Sequence, residues 1–259
     1  MKSANPNWAR GAKALFVKDI RAELRSKVAV NAVGIFAFSS MLLLTIVTAV
    51  LRETKAFSAR AFFEAYGIDK DLDAGLNAAL SPAWDSAGKM GLLWVLLIFA
   101  AFAGLSHSFV HEEEAGTTTA LRLAMPAEAV FAGKLLFNLV MIFTVALILT
   151  PAYMLLTGMK AGNPLVFVSL MASGCIGLGG TATIIAALAA KARSTGALYG
   201  ALGLPFMFVF ITLLINASNT LYDPKAGAIE AVKNVGGVFA YGVAIIAIST
   251  VVFRVIWED

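Results

Sequence analysis

Charge, cysteine and histidine are what this 259-residue chain has least of. Charged residues make up 14% of it and hydrophobic ones 59%, against ~25% charged in a soluble domain. Cys175 is the single cysteine, so an intrachain disulfide is impossible and a thiolate metal cluster has no ligands to draw on. The only histidines, His107 and His111, stand one turn apart beside an apolar run. Such a pair can share a metal or touch haem iron, but at a membrane interface solvated side chains are the ordinary case, and no metal site is expected. Enzyme motifs are missing too. His111-Glu-Glu-Glu-Ala115 lacks the second histidine of HExxH. Gly88-Lys89 and Gly133-Lys134 lack the upstream Gly and following Ser/Thr of a Walker A loop. Asp69-Lys-Asp-Leu-Asp73 is followed by Ala74 where a calcium loop needs Gly, and Leu80 stands where it needs Glu. It reads as a solvated acidic turn. No catalytic residues, no bound cofactor and no nucleic-acid partner are expected. Any ATP used with this chain binds to another one.

What is present is apolar sequence in long runs. Six stretches are each long enough to cross a bilayer, at 28–51, 90–110, 135–159, 164–190, 196–216 and 236–257. Lipid offers a bare backbone no hydrogen-bond partner, so a spanning run of ~20 residues is a helix. The expectation is an all-α polytopic membrane protein with six transmembrane helices, forming one domain over 1–259. Seven of the twenty Lys/Arg precede the first run: Lys2, Arg10, Lys13, Lys18, Arg21, Arg25 and Lys27. The positive-inside rule then puts the N-terminus in the cytoplasm, and six spans return the C-terminus to that side.

Residues 8–27 read as an amphipathic helix along the inner membrane surface. Trp8, Ala12, Leu15, Phe16, Ile20 and Leu24 share one broad arc, and Arg10, Lys18, Arg21 and Arg25 the other side. Asp19 and Glu23 interrupt the apolar arc one turn apart. Two readings follow: an anchor on anionic lipid, or carboxylates that meet another protein or the chain's own cytoplasmic loops. The long outer connection, 52–89, carries short helical patterns at 61–66 and 76–80, and Trp84 at headgroup depth.

The inner connection at 111–126 differs in kind. An acidic cluster (Glu112, Glu113, Glu114) leads through Gly116 and Thr117 into a short helix containing Leu121, which Pro126 ends after about two turns. It is either a solvated interfacial turn or, as preferred here, a docking element for a cytoplasmic partner. Inside the membrane, the fourth run holds Ser173-Gly-Cys-Ile-Gly-Leu-Gly-Gly-Thr-Ala-Thr183, and the fifth holds Gly196, Gly200, Gly203 and Pro205. Tight helix packing is the default reading of such small residues, and a flexible translocation path the other. No Asp, Glu, Lys or Arg lies mid-span in the first five runs, and Arg254 is within snorkelling reach of the inner interface. That argues against an ion-coupled pump.

Three patches, in this order along the chain, resemble the heme exporter protein B (CcmB) family, the ABC permease of cytochrome c maturation. They are Phe16-Val-Lys-Asp-Ile-Arg-Ala-Glu-Leu-Arg-Ser-Lys27 with its Asp19 and Glu23; Glu112 to Thr117 with Leu121, Pro126 and Lys134; and Leu156–Met159 with the Gly-rich run and Lys191-Ala-Arg193. The resemblance implies an ABC-2 (type V exporter-like) permease in a bacterial inner membrane. Its partners would be a cytoplasmic ABC ATPase subunit, a second haem-handling membrane protein, a small membrane subunit and the lipid bilayer. Haem would be cargo, either moved directly or released with a loaded chaperone, and ATP would sit on the partner. Glu112–Glu114, Gly116, Thr117, Leu121 and Pro126 would form the ATPase-coupling segment. Rival readings are an ABC-2 permease for lipid, polysaccharide or drug, and a non-transporting assembly scaffold.

Overall fold

Apolar periodicity alone does not say which of several greasy helices sits in the middle. In the computed structural model, which describes residues 8–27, 31, 33–49, 82–105, 121, 123–191 and 196–258, that helix is the glycine-rich one. The long helices are α1 (Trp8–Ser26), α2 (Val33–Ala49), α3 (Pro82–Leu105), α4 (Ala127–Thr157), α5 (Pro164–Lys191), α6 (Gly196–Tyr222) and α7 (Ala228–Glu258). There is no strand among the described residues. Helices α4, α5 and α7 are long and apolar enough to cross a membrane, and α2, α3 and α6 hold shorter apolar stretches. Each overlaps one of the six expected runs, though α3, α4 and α7 begin eight residues earlier than expected. Of the outer connection expected at 52–89, residues 52–81 lie outside the described residues, whereas 82–89, with Trp84, form the first turns of α3 and not a loop.

Helix α5 is central: 61% of its apolar window is buried inside the protein, against 28% for α4 and 22% for α7. Its glycines are the reason. The Trp94 ring of α3 occupies the space a side chain at Gly174 would need. Phe210 of α6 covers Gly177 so closely that an added Cβ would stand 2.5 Å from the ring. Leu139 of α4 covers Gly179 at 2.6 Å, and Ile246 of α7 covers Gly180 at 2.7 Å. Gly242 of α7 faces the backbone of Gly177, where a Cβ would lie 3.1 Å from the nitrogen. Four helices thus each set a side chain into one face or another of α5. Dispersion between close-packed surfaces is the main attraction left when the surroundings are themselves apolar. The small residues act in packing here, and α6 runs unbroken as a helix through Gly203 and Pro205.

Polar groups inside this bundle are few and mostly tied to the backbone. Thr181 and Thr183 donate to the carbonyls of Gly177 and Gly179, which satisfies hydroxyls where water is absent. Between helices, Trp94 Nε1 donates to Ser218 Oγ at 3.1 Å, and Asn138 Nδ2 to Thr183 Oγ1 at 2.8 Å. Helix α2 leans on this core through one stripe, Val33, Ala37 and Met41, and Phe36 meets Phe99 at 6.5 Å. Its other side exposes Ile35, Phe38, Leu43 and Ile46. Apolar side chains also cover the outer faces of α4, α6 and α7, the surface a lipid-embedded bundle presents.

The ends are closed by local chemistry. Gly158 adopts φ +66° and stops α4, as a left-handed residue after a helix does. Asn163 then caps α5 by accepting from the amide of Leu165 at 3.0 Å. Tyr222 Oη donates to the Lys160 carbonyl at 2.6 Å, which ties the end of α6 to this turn.

Candidate functional site

At the opposite end of the bundle, α1 lies against the first turns of α4. Its residues favour a helix, being mostly Ala, Leu, Lys and Arg. Lys27, at φ +54°, ends it and turns the chain toward α2. Ala12, Leu15 and Asp19 are spaced three and four apart, so they line one edge, and all three are buried. They face Gly133 and Lys134 of α4. A Cβ on Gly133 would stand 2.9 Å from the Ala12 carbonyl oxygen and 3.0 Å from Leu15 Cβ. Gly11 returns the arrangement, with Ala129 Cβ only 3.3 Å from where its own Cβ would be. One glycine on each helix permits this approach.

The close approach brings two charges together. Lys134 Nζ lies 2.9 Å from Asp19 Oδ2, and the Lys134 side chain is only 2% exposed and that of Asp19 10%. Lys18 Nζ stands 3.3 Å from the other Asp19 oxygen, from the exposed side. A buried ion pair gives specificity of register more surely than net stability, because desolvation offsets most of the attraction. Breaking one partner is a different matter, since it strands the other charge.

Around the pair is an apolar cluster joining Leu15 of α1, Ala127, Val130 and Phe131 of α4, Ile184–Ala187 of α5 and Phe253 of α7. Phe131 and Phe253 meet at 5.4 Å, and Phe253 stacks on Trp257 at 5.3 Å. Arg254 and Glu128 approach at 3.7 Å on the surface, both about half exposed, a pairing worth little in water. The segment leading into α4 ends in this same place. Leu121 is half-buried against the cluster, its carbonyl accepts from the Met125 amide at 3.0 Å, and Met125 Sδ approaches Gly11. Pro126, at φ −71° and ψ 155°, breaks that turn and starts α4.

The residues singled out from sequence therefore separate. Leu121 packs at the junction of α1 and α4, and Pro126, exposed, starts α4 beside it. Glu112, Glu113, Glu114, Gly116 and Thr117 lie outside the described residues, as do His107 and His111. Asp19 is buried on Lys134, whereas Phe16 and Glu23 are half-buried and Arg25 is exposed. For Asp19 the structure gives a contact within the protein, with Lys134 at the base of the chain's own α4 as the partner; this decides the carboxylate and not how the opposite face of α1 meets lipid. Sequence reasoning missed that Lys134 and Gly133 complete this junction. The signal was a charged residue at the start of the third apolar run and another inside the apolar arc of α1. No group of three or more His, Cys, Asp or Glu positioned to hold a metal occurs among the described residues. The end of the 111–126 segment touches both α1 and α4, and those two helices share the buried charge pair.

A family model described as CcmB protein matches residues 83–255, which takes in α3 to α7 almost entirely but not α1 or α2. No curated protein and no solved structure matches the chain.

Proposed function

The chain belongs to the CcmB family, that of heme exporter protein B in cytochrome c maturation, and on this premise we propose that it is the six-span permease subunit of an ABC complex whose ATP is hydrolysed by a partner chain. The observation that carries the reading is the family match over 83–255. It spans the 111–126 connection together with the helices packed behind it. Residues Glu112–Glu114, Gly116 and Thr117 dock on the ATPase subunit, the three carboxylates meeting basic side chains there. The contact of Leu121 and Met125 with the α1–α4 junction supports the next step. Movement of the docked segment acts on the base of α4, and α1 moves with it. Packed cores shift between discrete arrangements and do not deform continuously, so a small push at this base is passed on as a helix displacement.

In this reading the protein lies in a bacterial inner membrane with both termini in the cytoplasm. A second haem-handling membrane protein and a small membrane subunit complete the complex. Haem is cargo, delivered outward or released with a loaded chaperone, and this chain itself is not an enzyme. The test is a haem stain for c-type cytochromes in cells lacking the gene, complemented with wild-type or Glu112→Lys/Glu113→Lys copies. Loss of covalent haem that only the wild type restores is the expected result. Normal cytochromes without the gene would leave an ABC-2 permease of another cargo. Full rescue by a complex whose ATPase partner cannot hydrolyse ATP would leave an assembly scaffold.

A further inference from the structure

Three strips run along α1, and docking on α4 uses one of them. Next round the helix from Ala12, Leu15 and Asp19 come Phe16, Ile20 and Leu24, four residues apart. The first two are half-buried, and Leu24 is 68% exposed. Beyond them come Arg10, Arg21 and Arg25, all exposed. Arg21 and Arg25 are one turn apart, and Arg10, eleven residues before Arg21, falls back on nearly the same side. The rotation of α1 is not free. The Asp19–Lys134 pair and the Gly11–Gly133 approach hold it, so the strips are presented in fixed order: protein, apolar with the exposed Lys13 set into it, cationic.

Among the described residues, the nearby carboxylates are otherwise engaged or face elsewhere. Asp19 is held by Lys134 and Lys18, Glu128 by Arg254, and Glu23 lies at the protein-side edge. None of the three arginines has an ion-pair partner among the described residues. A soluble acidic protein seated on the arginines would leave Phe16, Ile20 and Leu24 in water. A phospholipid covers both strips at once, its acyl chains along the apolar strip and its headgroup against the guanidinium groups. Guanidinium favours phosphate through paired N–H donors.

We propose that Arg10, Arg21 and Arg25 form a binding strip for the headgroups of anionic phospholipids in the leaflet along which α1 lies. The site is independent of any coupling to an ATPase. Its test is native mass spectrometry of the full-length chain in neutral detergent, titrated with phosphatidylglycerol or with phosphatidylcholine of the same acyl chains. A basic residue near the surface contributes about fivefold to anionic-lipid binding. Arg10→Gln/Arg21→Gln/Arg25→Gln is therefore expected to lose on the order of 100-fold of preference at low salt, keeping only what the exposed Lys13 and Lys18 contribute. Lys160→Gln/Lys225→Gln, at the far end of the bundle, is expected to keep the wild-type preference. The triple Arg→Lys variant, which keeps the charge, is expected to retain most of it. An undiminished preference in the triple Gln variant would overturn the proposal. So would a triple Lys variant as weak as the Gln one. Loss of a co-purifying ATPase subunit from the triple Gln variant, with phosphatidylglycerol still bound, would assign the strip to a protein partner instead.

Discussion

Asp19→Asn is the substitution that tests the α1–α4 junction most directly. It removes the charge but hardly the volume, and leaves Lys134, at 2% exposure, beside a neutral amide. Removing one partner of a buried ion pair costs ~3–5 kcal/mol. Lys134 lies seven residues into α4, close enough to the interface for its flexible stem to seek water, so the lower end applies. That cost falls on the docking of α1 more than on the bundle, whose core lies elsewhere. About 3 kcal/mol corresponds to roughly a 100-fold larger population of undocked α1. Trypsin reads that population, because α1 carries Arg10, Lys13, Lys18, Arg21 and Arg25 as cleavage sites that a docked helix protects. Cleavage within α1 of the protein in lipid nanodiscs is expected to speed up by a factor approaching that value, with Lys134→Gln behaving alike. The double variant Asp19→Leu/Lys134→Met, which replaces the pair by apolar groups, is expected to return near the wild-type rate. If both single variants are cut at the wild-type rate, the ion pair does not hold α1. If the double variant is as exposed as the singles, the cost is not one of stranded charge.

Gly133→Ala forces a methyl toward the Ala12 carbonyl and Leu15. It is expected to cost ~1–3 kcal/mol and to expose α1 to trypsin, while Gly91→Ala, with nothing within 4 Å of its added carbon, leaves protection unchanged. Gly174→Leu drives a side chain into the space of Trp94 and is expected to abolish the monodisperse peak in size-exclusion chromatography. Gly236→Ala, which meets nothing, is expected to elute as wild type. Ser218→Ala removes the acceptor of the Trp94 indole hydrogen bond while the ring stays packed over Gly174; thermal unfolding should show a loss of ~0.5–2 kcal/mol, and a wild-type melting temperature would mean the bond contributes nothing.

The apolar runs were legible because lipid leaves a spanning backbone one arrangement, and length with composition then suffices to locate the helices. The end of the 111–126 segment at Pro126 was legible for a similar reason, since proline cannot continue a helix and donates no amide hydrogen bond. The resemblance to the heme exporter family rested on short patches in a fixed order, and the family match runs through two of the three. The acidic cluster at Glu112–Glu114 reads as a candidate for docking and lies outside the described residues.

Neighbours were not legible. The spacing of Gly174, Gly177, Gly179 and Gly180 announces close contact, but that Trp94, Phe210, Leu139 and Ile246 fill those places depends on how five helices cross. Asp19 inside an apolar arc announced a partner without naming it. Periodicity assigns a residue to a face of its own helix, and it carries no information about which distant helix that face meets. The sequence by itself determined that these segments are membrane helices with a cationic, amphipathic lead-in. Only the tertiary structure decided that the lead-in is a docked part of the bundle, because the Asp19–Lys134 pair and the glycine crossing exist only once α1 and α4 are side by side.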